Sequence, residues 1–153
     1  MNLERMFEPI HPGEYELKCS LRENGYEVKD VSNDVTYFNK DIDLIATNIG
    51  TGAVTNLEVK WDKRIAATGN LFIEIENPRS LGGNGWFKFC QADMLAYGDA
   101  INKKFYFFRV AALKKYIEAH EDELEVRKIW DGSKGYLLPL LHVEHLLVCA
   151  VEV

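Results

Sequence analysis

The segment "DIDLIATNIGTGAVTNLEVKWD" (residues 41–62) decides the fold. The run "DIDLIAT" contains consecutive apolar residues, and in the run "NLEVKWD" polar and apolar residues alternate. A glycine-rich connection separates the two runs. This pattern predicts two β-strands joined as a hairpin. Alternation places Glu58 and Lys60 on one face of the second strand. In the simplest register Asp43, at the mouth of the first strand, approaches Glu58. The hairpin therefore predicts a cluster of two carboxylates and one ammonium group.

The segments around the hairpin predict an α/β fold with a central mixed sheet flanked by helices, in the order α-β-β-β-α-β-α. Pro12 suits the first turn of a helix, and Gly25 suits its end. The predicted elements are a helix over 13–28, strands at 41–47, 56–62 and 70–77, a second helix over 87–100, a strand at 104–110, a third helix over 111–123, and a C-terminal strand, short helix and tail.

Composition and charge set the class of protein. The 153 residues, 47% hydrophobic and 27% charged, fit a single domain spanning residues 1–153. The absence of a long apolar run and of a signal-peptide pattern predicts a cytoplasmic protein with no membrane partner. Cys19, Cys90 and Cys149 follow neither a disulfide nor a zinc spacing.

The net charge is -6, which disfavours a broad nucleic-acid surface. Residues 40–90 nevertheless hold six Lys or Arg and six Asp or Glu, so this segment is neutral. A nucleic-acid surface must therefore be local.

The clustered carboxylates indicate metal chemistry. Two adjacent carboxylates repel each other unless a cation lies between them. Oxygen ligands without His or Cys favour Mg²⁺ or Mn²⁺, and Lys60 can stabilise negative charge at a phosphorus atom. The alternative is that E-x-K is only the solvated face of an exposed hairpin.

This set of residues resembles the PD-(D/E)XK nuclease superfamily, and over residues 13–62 it is similar to archaeal Holliday junction resolvases. The shared pieces are a helix bearing Glu and ending in "ENG", then "DL" opening a strand, then "EVK". The resemblance implies a restriction-endonuclease-like core in which Asp43 and Glu58 bind metal, Lys60 serves the attacking water, and Glu14 completes the site.

The match has departures. Ile42 stands where the motif has Pro, Asp41 is an alternative first carboxylate, and Glu16 competes with Glu14. Beyond Asp62 the chain instead looks like small nuclease-like proteins of phages and mobile elements.

Other residues are weaker candidates for the same site. Glu74 and the Val59 carbonyl are candidate metal ligands, with Mg (or Mn) as the cofactor. Trp61, Trp86 and Trp130 are expected in the core. The candidate DNA contacts are Lys63, Arg64, Arg79, Lys88 and Gln91.

The sequence thus predicts a metal-dependent DNA endonuclease, acting on branched or duplex DNA. We expect a homodimer formed through "KFYFFRV" or the C-terminal segment. The alternative is a catalytically inactive DNA-binding or protein-interaction module on the same fold.

Overall fold

A computed structural model describes residues 13–153, so Pro12 lies outside the described residues. The strands are β1 (Tyr26–Asp30), β2 (Leu44–Asn48), β3 (Val54–Asp62), β4 (Asn70–Glu76), β5 (Met94–Asp99), β6 (Lys104–Arg109), β7 (Glu125–Lys128), β8 (Lys134–Pro139) and β9 (Leu147–Glu152). The α-helices are α1 (Glu14–Glu23), α2 (Val35–Phe38), α3 (Ile65–Thr68), α4 (Trp86–Phe89), α5 (Val110–His120) and α6 (Leu140–Val143). Short 3₁₀ turns cover Leu81–Gly83, Glu121–Glu123 and Glu144–Leu146.

The strands form two sheets. The larger is a six-stranded mixed sheet in the order β1-β2-β3-β5-β6-β9. Its β3 and β5 are parallel, and its other neighbouring strands are antiparallel. The smaller is an antiparallel sheet in the order β4-β8-β7. The protein is therefore mixed α/β, and the parallel crossover from β3 to β5 carries α3, β4 and α4.

Helix α1 covers one face of the larger sheet. Its Leu17 is fully buried and joins a cluster with Leu44, Leu57, Ala96 and Phe105. Within each strand the residues of this cluster alternate, as Leu44 with Ala46 and Leu57 with Val59, so they share one face of the pleat. Helix α1 therefore lies against the strands that carry the predicted site.

The opposite face packs against α5 and the smaller sheet. Leu95 of β5 belongs to the same buried cluster as Leu71 of β4, Leu138 of β8 and Leu113 of α5. A parallel β-strand buried on both faces needs such cover on each side. The two covering layers place β3 and β5 in the interior of the protein.

The structure confirms the central hairpin and corrects its surroundings. The predicted helix over 13–28 ends at Glu23, and Tyr26–Asp30 forms edge strand β1 instead. The predicted helix over 87–100 is wrong, because only Trp86–Phe89 is helical and Met94–Asp99 forms β5. The predicted third strand exists as β4, but it belongs to the smaller sheet and does not neighbour β3.

The C-terminal half bears on two further expectations. "KFYFFRV" contains β6, which pairs on both edges and buries Phe105, Phe107 and Phe108, so it is core. The C-terminal tail is edge strand β9, and a dimer contact there remains a prediction. Within residues 13–153, no helix has the length and apolar character needed to cross a membrane.

Candidate active site

Asp43 lies directly before β2 and forms hydrogen bonds with the neighbouring strand β3. Its N–H donates a hydrogen bond to the Leu57 carbonyl (N···O 2.8 Å), and its Oδ2 accepts one from the Val59 N–H at 2.8 Å. Because Leu44 pairs with Leu57, Asp43 stands opposite Glu58. The structure thus brings these two carboxyl groups together in the register that the sequence pattern predicts.

Both carboxyl groups line one pocket of about 400 Å³, called here the carboxylate pocket. Its lining residues are Glu14, Asp43, Glu58, Val59, Lys60, Trp61 and Lys63. All four residues of the predicted catalytic set therefore line one pocket. They come from α1, from the entrance to β2, and from β3.

Glu58 and Lys60 form an ion pair inside this pocket. Glu58 is 3% exposed, and its Oε1 lies 2.6 Å from Lys60 Nζ. The Lys60 side chain is 31% exposed. A solvated strand face does not bury a carboxylate, so the exposed-hairpin interpretation is wrong for Glu58.

Glu14 reaches the pocket from the first residue of α1. It is 2% exposed, and its Oε2 has no hydrogen-bond partner in the described part of the chain. Glu16, the competing candidate, is exposed and accepts a hydrogen bond from the Gly13 N–H at 3.0 Å, which caps the helix. The geometry therefore assigns Glu14 to the pocket and Glu16 to the helix terminus.

The Trp61 indole holds this end of α1 in place. A Cβ on Gly13 would lie 2.4 Å from the Trp61 ring, and one on Gly98 would lie 2.3 Å from it. The ring also stacks on Phe105, with the ring centroids 5.2 Å apart. Two glycines are needed because any side chain at either position would collide with the indole. This fit fixes where Glu14 enters the pocket.

The electrostatics of the pocket disfavour three ionised carboxylates. Burial, reinforced by the charge of Asp43, raises the pKa of Glu14 to about 7. Burial also raises the pKa of Glu58 well above its usual range, although Lys60 opposes the shift. Burial lowers the pKa of Lys60, but the Glu58 carboxylate outweighs burial, so the net shift is upward and Lys60 stays charged. The raised pKa values mean that Glu14 and Glu58 are protonated more readily than usual, and a bound cation would favour their ionised forms.

Asp41 and Glu74 lie on a neighbouring surface rather than in the carboxylate pocket. Together with Lys60 they line a second depression, of about 610 Å³. Burial, with repulsion from Asp43 and Glu74, raises the pKa of Asp41 to about 6. Glu74 sits on β4 and accepts a hydrogen bond from Asn77 Nδ2 at 3.3 Å. The expected place of Glu74 on the strand next to β3 is wrong, because β5 occupies that place; Glu74 instead meets Lys60 from the smaller sheet, and its role as a metal ligand stays a prediction.

The predicted DNA contacts are dispersed. Lys63 lines the carboxylate pocket, and with Arg64 it lines a cleft beyond it. Arg79 is exposed and bound to Asp131, at 2.5 Å. Lys88 lines a different depression beside α5.

Gln91 does not begin a helix as expected. It lies exposed in the segment between α4 and β5, where its N–H donates to the Lys40 carbonyl at 2.8 Å. Its proposed contact with DNA stays a prediction.

Sequence reasoning missed a polar bridge beside the site. The Tyr97 hydroxyl donates a hydrogen bond to Asp62 Oδ2 and accepts one from the Phe72 N–H at 2.9 Å. It thereby links β3 and β5 of the larger sheet to β4 of the smaller one. A Tyr in a segment predicted to be helical gave no signal of this role.

The triplet Glu-Val-Lys also occurs a second time, in β1. Glu27 and Lys29 are exposed, while Val28 between them is buried in the cluster beneath α1. The triplet therefore supplies an internal control for the triplet in β3.

The carboxylate pocket fits a divalent cation in donor chemistry. Its acidic ligands are all hard carboxylate oxygens, and the buried Glu14 Oε2 lacks a partner. In their present positions, however, no three His, Cys, Asp or Glu side chains of residues 13–153 form a set able to hold an ion. The ion pair with Lys60 engages one oxygen of Glu58, Oε1. No family model matches the chain, and no curated protein or solved structure matches it.

Proposed function

We propose that the protein is a divalent-metal-dependent DNA endonuclease with a restriction-endonuclease-like, PD-(D/E)XK-type core. The observation that carries the proposal is the convergence of Glu14, Asp43, Glu58 and Lys60 on one pocket. The burial of Glu14 and Glu58 beside Asp43, offset by only one lysine, is costly for a purely structural site. Such a cost is expected where the site is organised for chemistry.

Each residue has a role that follows from its position. Glu14, Asp43 and Glu58 would hold Mg²⁺ or Mn²⁺, with the Val59 carbonyl as a further oxygen donor. When bound, the ion would supply Lewis-acid stabilisation of the phosphate and a more acidic water. Lys60, kept charged by its neighbours, would orient the nucleophile and stabilise charge that develops on the scissile phosphate.

The test is cleavage of duplex, single-stranded and branched DNA with and without Mg²⁺. Lys60→Ala and Glu58→Gln should each lower the rate by about 10²-fold or more, the typical cost of removing a group that stabilises developing charge. Lys29→Ala and Glu27→Gln change the matching triplet of β1 and should leave the rate unchanged. Equal rates in both pairs of variants would contradict the proposal.

The second candidate is an inactive DNA-binding or interaction module on the same fold. It is favoured by the ion pair of Glu58 with Lys60, which occupies one of the ligand oxygens. Calorimetry with Mn²⁺ separates the two. Binding that is lost in Asp43→Asn supports the enzyme, whereas neither binding nor cleavage supports the module.

A further inference from the structure

A further cavity, distinct from the depression lined by Asp41, adjoins the carboxylate pocket and differs from it in chemistry. It has a volume of about 480 Å³ and is called here the aromatic cleft. Lys60, Trp61 and Lys63 line both the cleft and the pocket, so the two are adjacent. A group bound at the Lys60 side of the cleft therefore lies next to the Glu58–Lys60 pair.

Aromatic side chains form much of the cleft wall. Phe72 and Trp86 are half-buried, and Lys60 Nζ lies 4.6 Å from the centroid of the Trp86 ring. Trp130 is 86% exposed, which corrects its expected place in the core. Together with Phe72 and Trp86, the Trp130 indole places three aromatic side chains along one cleft.

The turn that carries Trp130 is joined by hydrogen bonds and an ion pair. The Ser133 N–H donates to Asp131 Oδ1 at 2.9 Å, the Ile129 N–H donates to the Ser133 carbonyl at 2.9 Å, and Arg79 pairs with Asp131. These contacts hold the backbone on both sides of Trp130, in the turn between β7 and β8.

The cleft presents cations although the chain is acidic. They are Lys60, Lys63, Arg64 and Arg127, beside the acids Asp62 and Glu74. Lys60 is paired with Glu58, and Arg127 with Glu125. Asp62 already accepts hydrogen bonds from the Tyr97 hydroxyl and the Arg64 N–H. No ion pair joins Lys63 or Arg64 to a side chain within residues 13–153. These two cations are available to a phosphate group.

We propose that the aromatic cleft binds unpaired nucleotides of a single-stranded DNA segment and leads that strand to the carboxylate pocket. Exposed aromatic rings stack on base faces, and neighbouring cations contact the backbone phosphates. A duplex keeps its base faces stacked inside, so it cannot use Trp130 in this way. This inference rests on the proposed function and names the form of DNA that the site takes.

The test is fluorescence anisotropy of a labelled dT12 strand and of a labelled duplex, in chelator and without metal, so that binding is measured apart from cleavage. The wild-type chain should bind the single strand more tightly. Trp130→Ala should weaken that binding by about 5- to 150-fold, the range expected for loss of one base stack. Trp130→Phe should retain most of the affinity, and Leu141→Ala, which alters another exposed apolar residue (81% exposed), should retain all of it.

Three results would overturn the inference: no preference for the single strand, an unchanged affinity in Trp130→Ala, or competition by dTMP at the same concentration as by dT12. The outcome is separable from that of the proposed function. Strand binding without any cleavage would retain this inference and reject the nuclease, and Mg²⁺-dependent cleavage without strand binding would do the reverse.

Discussion

The two Glu-Val-Lys triplets have the same sequence and opposite surroundings. In edge strand β1, Glu27 and Lys29 are exposed. In interior strand β3, Glu58 is 3% exposed and bonded to Lys60. Both triplets bury their valine beneath α1, so both project their charged side chains from the other face of the sheet. The difference shows that strand position and the opposing Asp43, rather than the triplet itself, define the candidate site.

The largest expected stability difference between the surroundings of the two triplets is in the response to metal, because Asp43 stands opposite only the triplet of β3. In the wild-type chain, Mg²⁺ at 100 times its dissociation constant should add about 2.7 kcal/mol to the free energy of unfolding. Glu27→Gln should keep this gain, and Asp43→Asn should lose most of it. Thermal denaturation across a Mg²⁺ series measures the effect. An equal gain in both variants would place the ion elsewhere.

A smaller difference is expected when only the lysine charge is removed. Lys60→Met keeps the aliphatic stem but leaves Glu58 buried without its partner, which should cost about 2 kcal/mol of unfolding free energy. Proton uptake by Glu58 limits the loss. Lys29→Met, on the exposed triplet, should change stability by less than about 0.5 kcal/mol. Urea denaturation of both variants is the measurement, and matching losses would contradict the role given to burial.

The smallest effect concerns Glu14 and depends on pH. Its folded-state pKa is about 7, above the unfolded value of 4.5. Between these pH values the folded chain holds more protons, so this group makes stability fall as pH rises from about 4.5 to about 7. In metal-free buffer Glu14→Gln should flatten that decline and be more stable than wild type near pH 8, by about 1 kcal/mol after allowance for solvent screening.

Glu23→Gln, on the exposed end of the same helix, is the control for this pH series. It should follow the wild-type curve. If Glu14→Gln declined with pH as steeply as the wild type and the control, the contribution assigned to Glu14 would be contradicted.

Local pattern was enough to predict the hairpin and α1. The alternation in "NLEVKWD" and the glycine turn are short-range signals, and the pairing of Leu44 with Leu57 followed from them. The candidate site could be predicted for the same reason, since Asp43 directly precedes the first of those strands and Glu58 lies on the second.

Non-local packing explains the errors. Strand β5 contains Met94, Leu95 and Ala96, which favour helix in isolation, yet the interior of the sheet selects an extended chain there. Strand β4 was recognised as a strand but given the wrong neighbour, because its partner β8 is distant in sequence. The aromatic cleft was missed because its wall combines β4, α4 and the turn after β7.

The pairing of β4 with β8 also has a consequence for the order of folding. Leu71 of β4 pairs with Leu138 of β8. In the sequence β4 lies between β3 and β5, so it stays unpaired during synthesis until much of the later chain has emerged. Long-range pairing slows folding, and an unpaired apolar strand is exposed to aggregation meanwhile. The layer that buries Leu95 against Leu71 therefore forms late, after β8 has emerged.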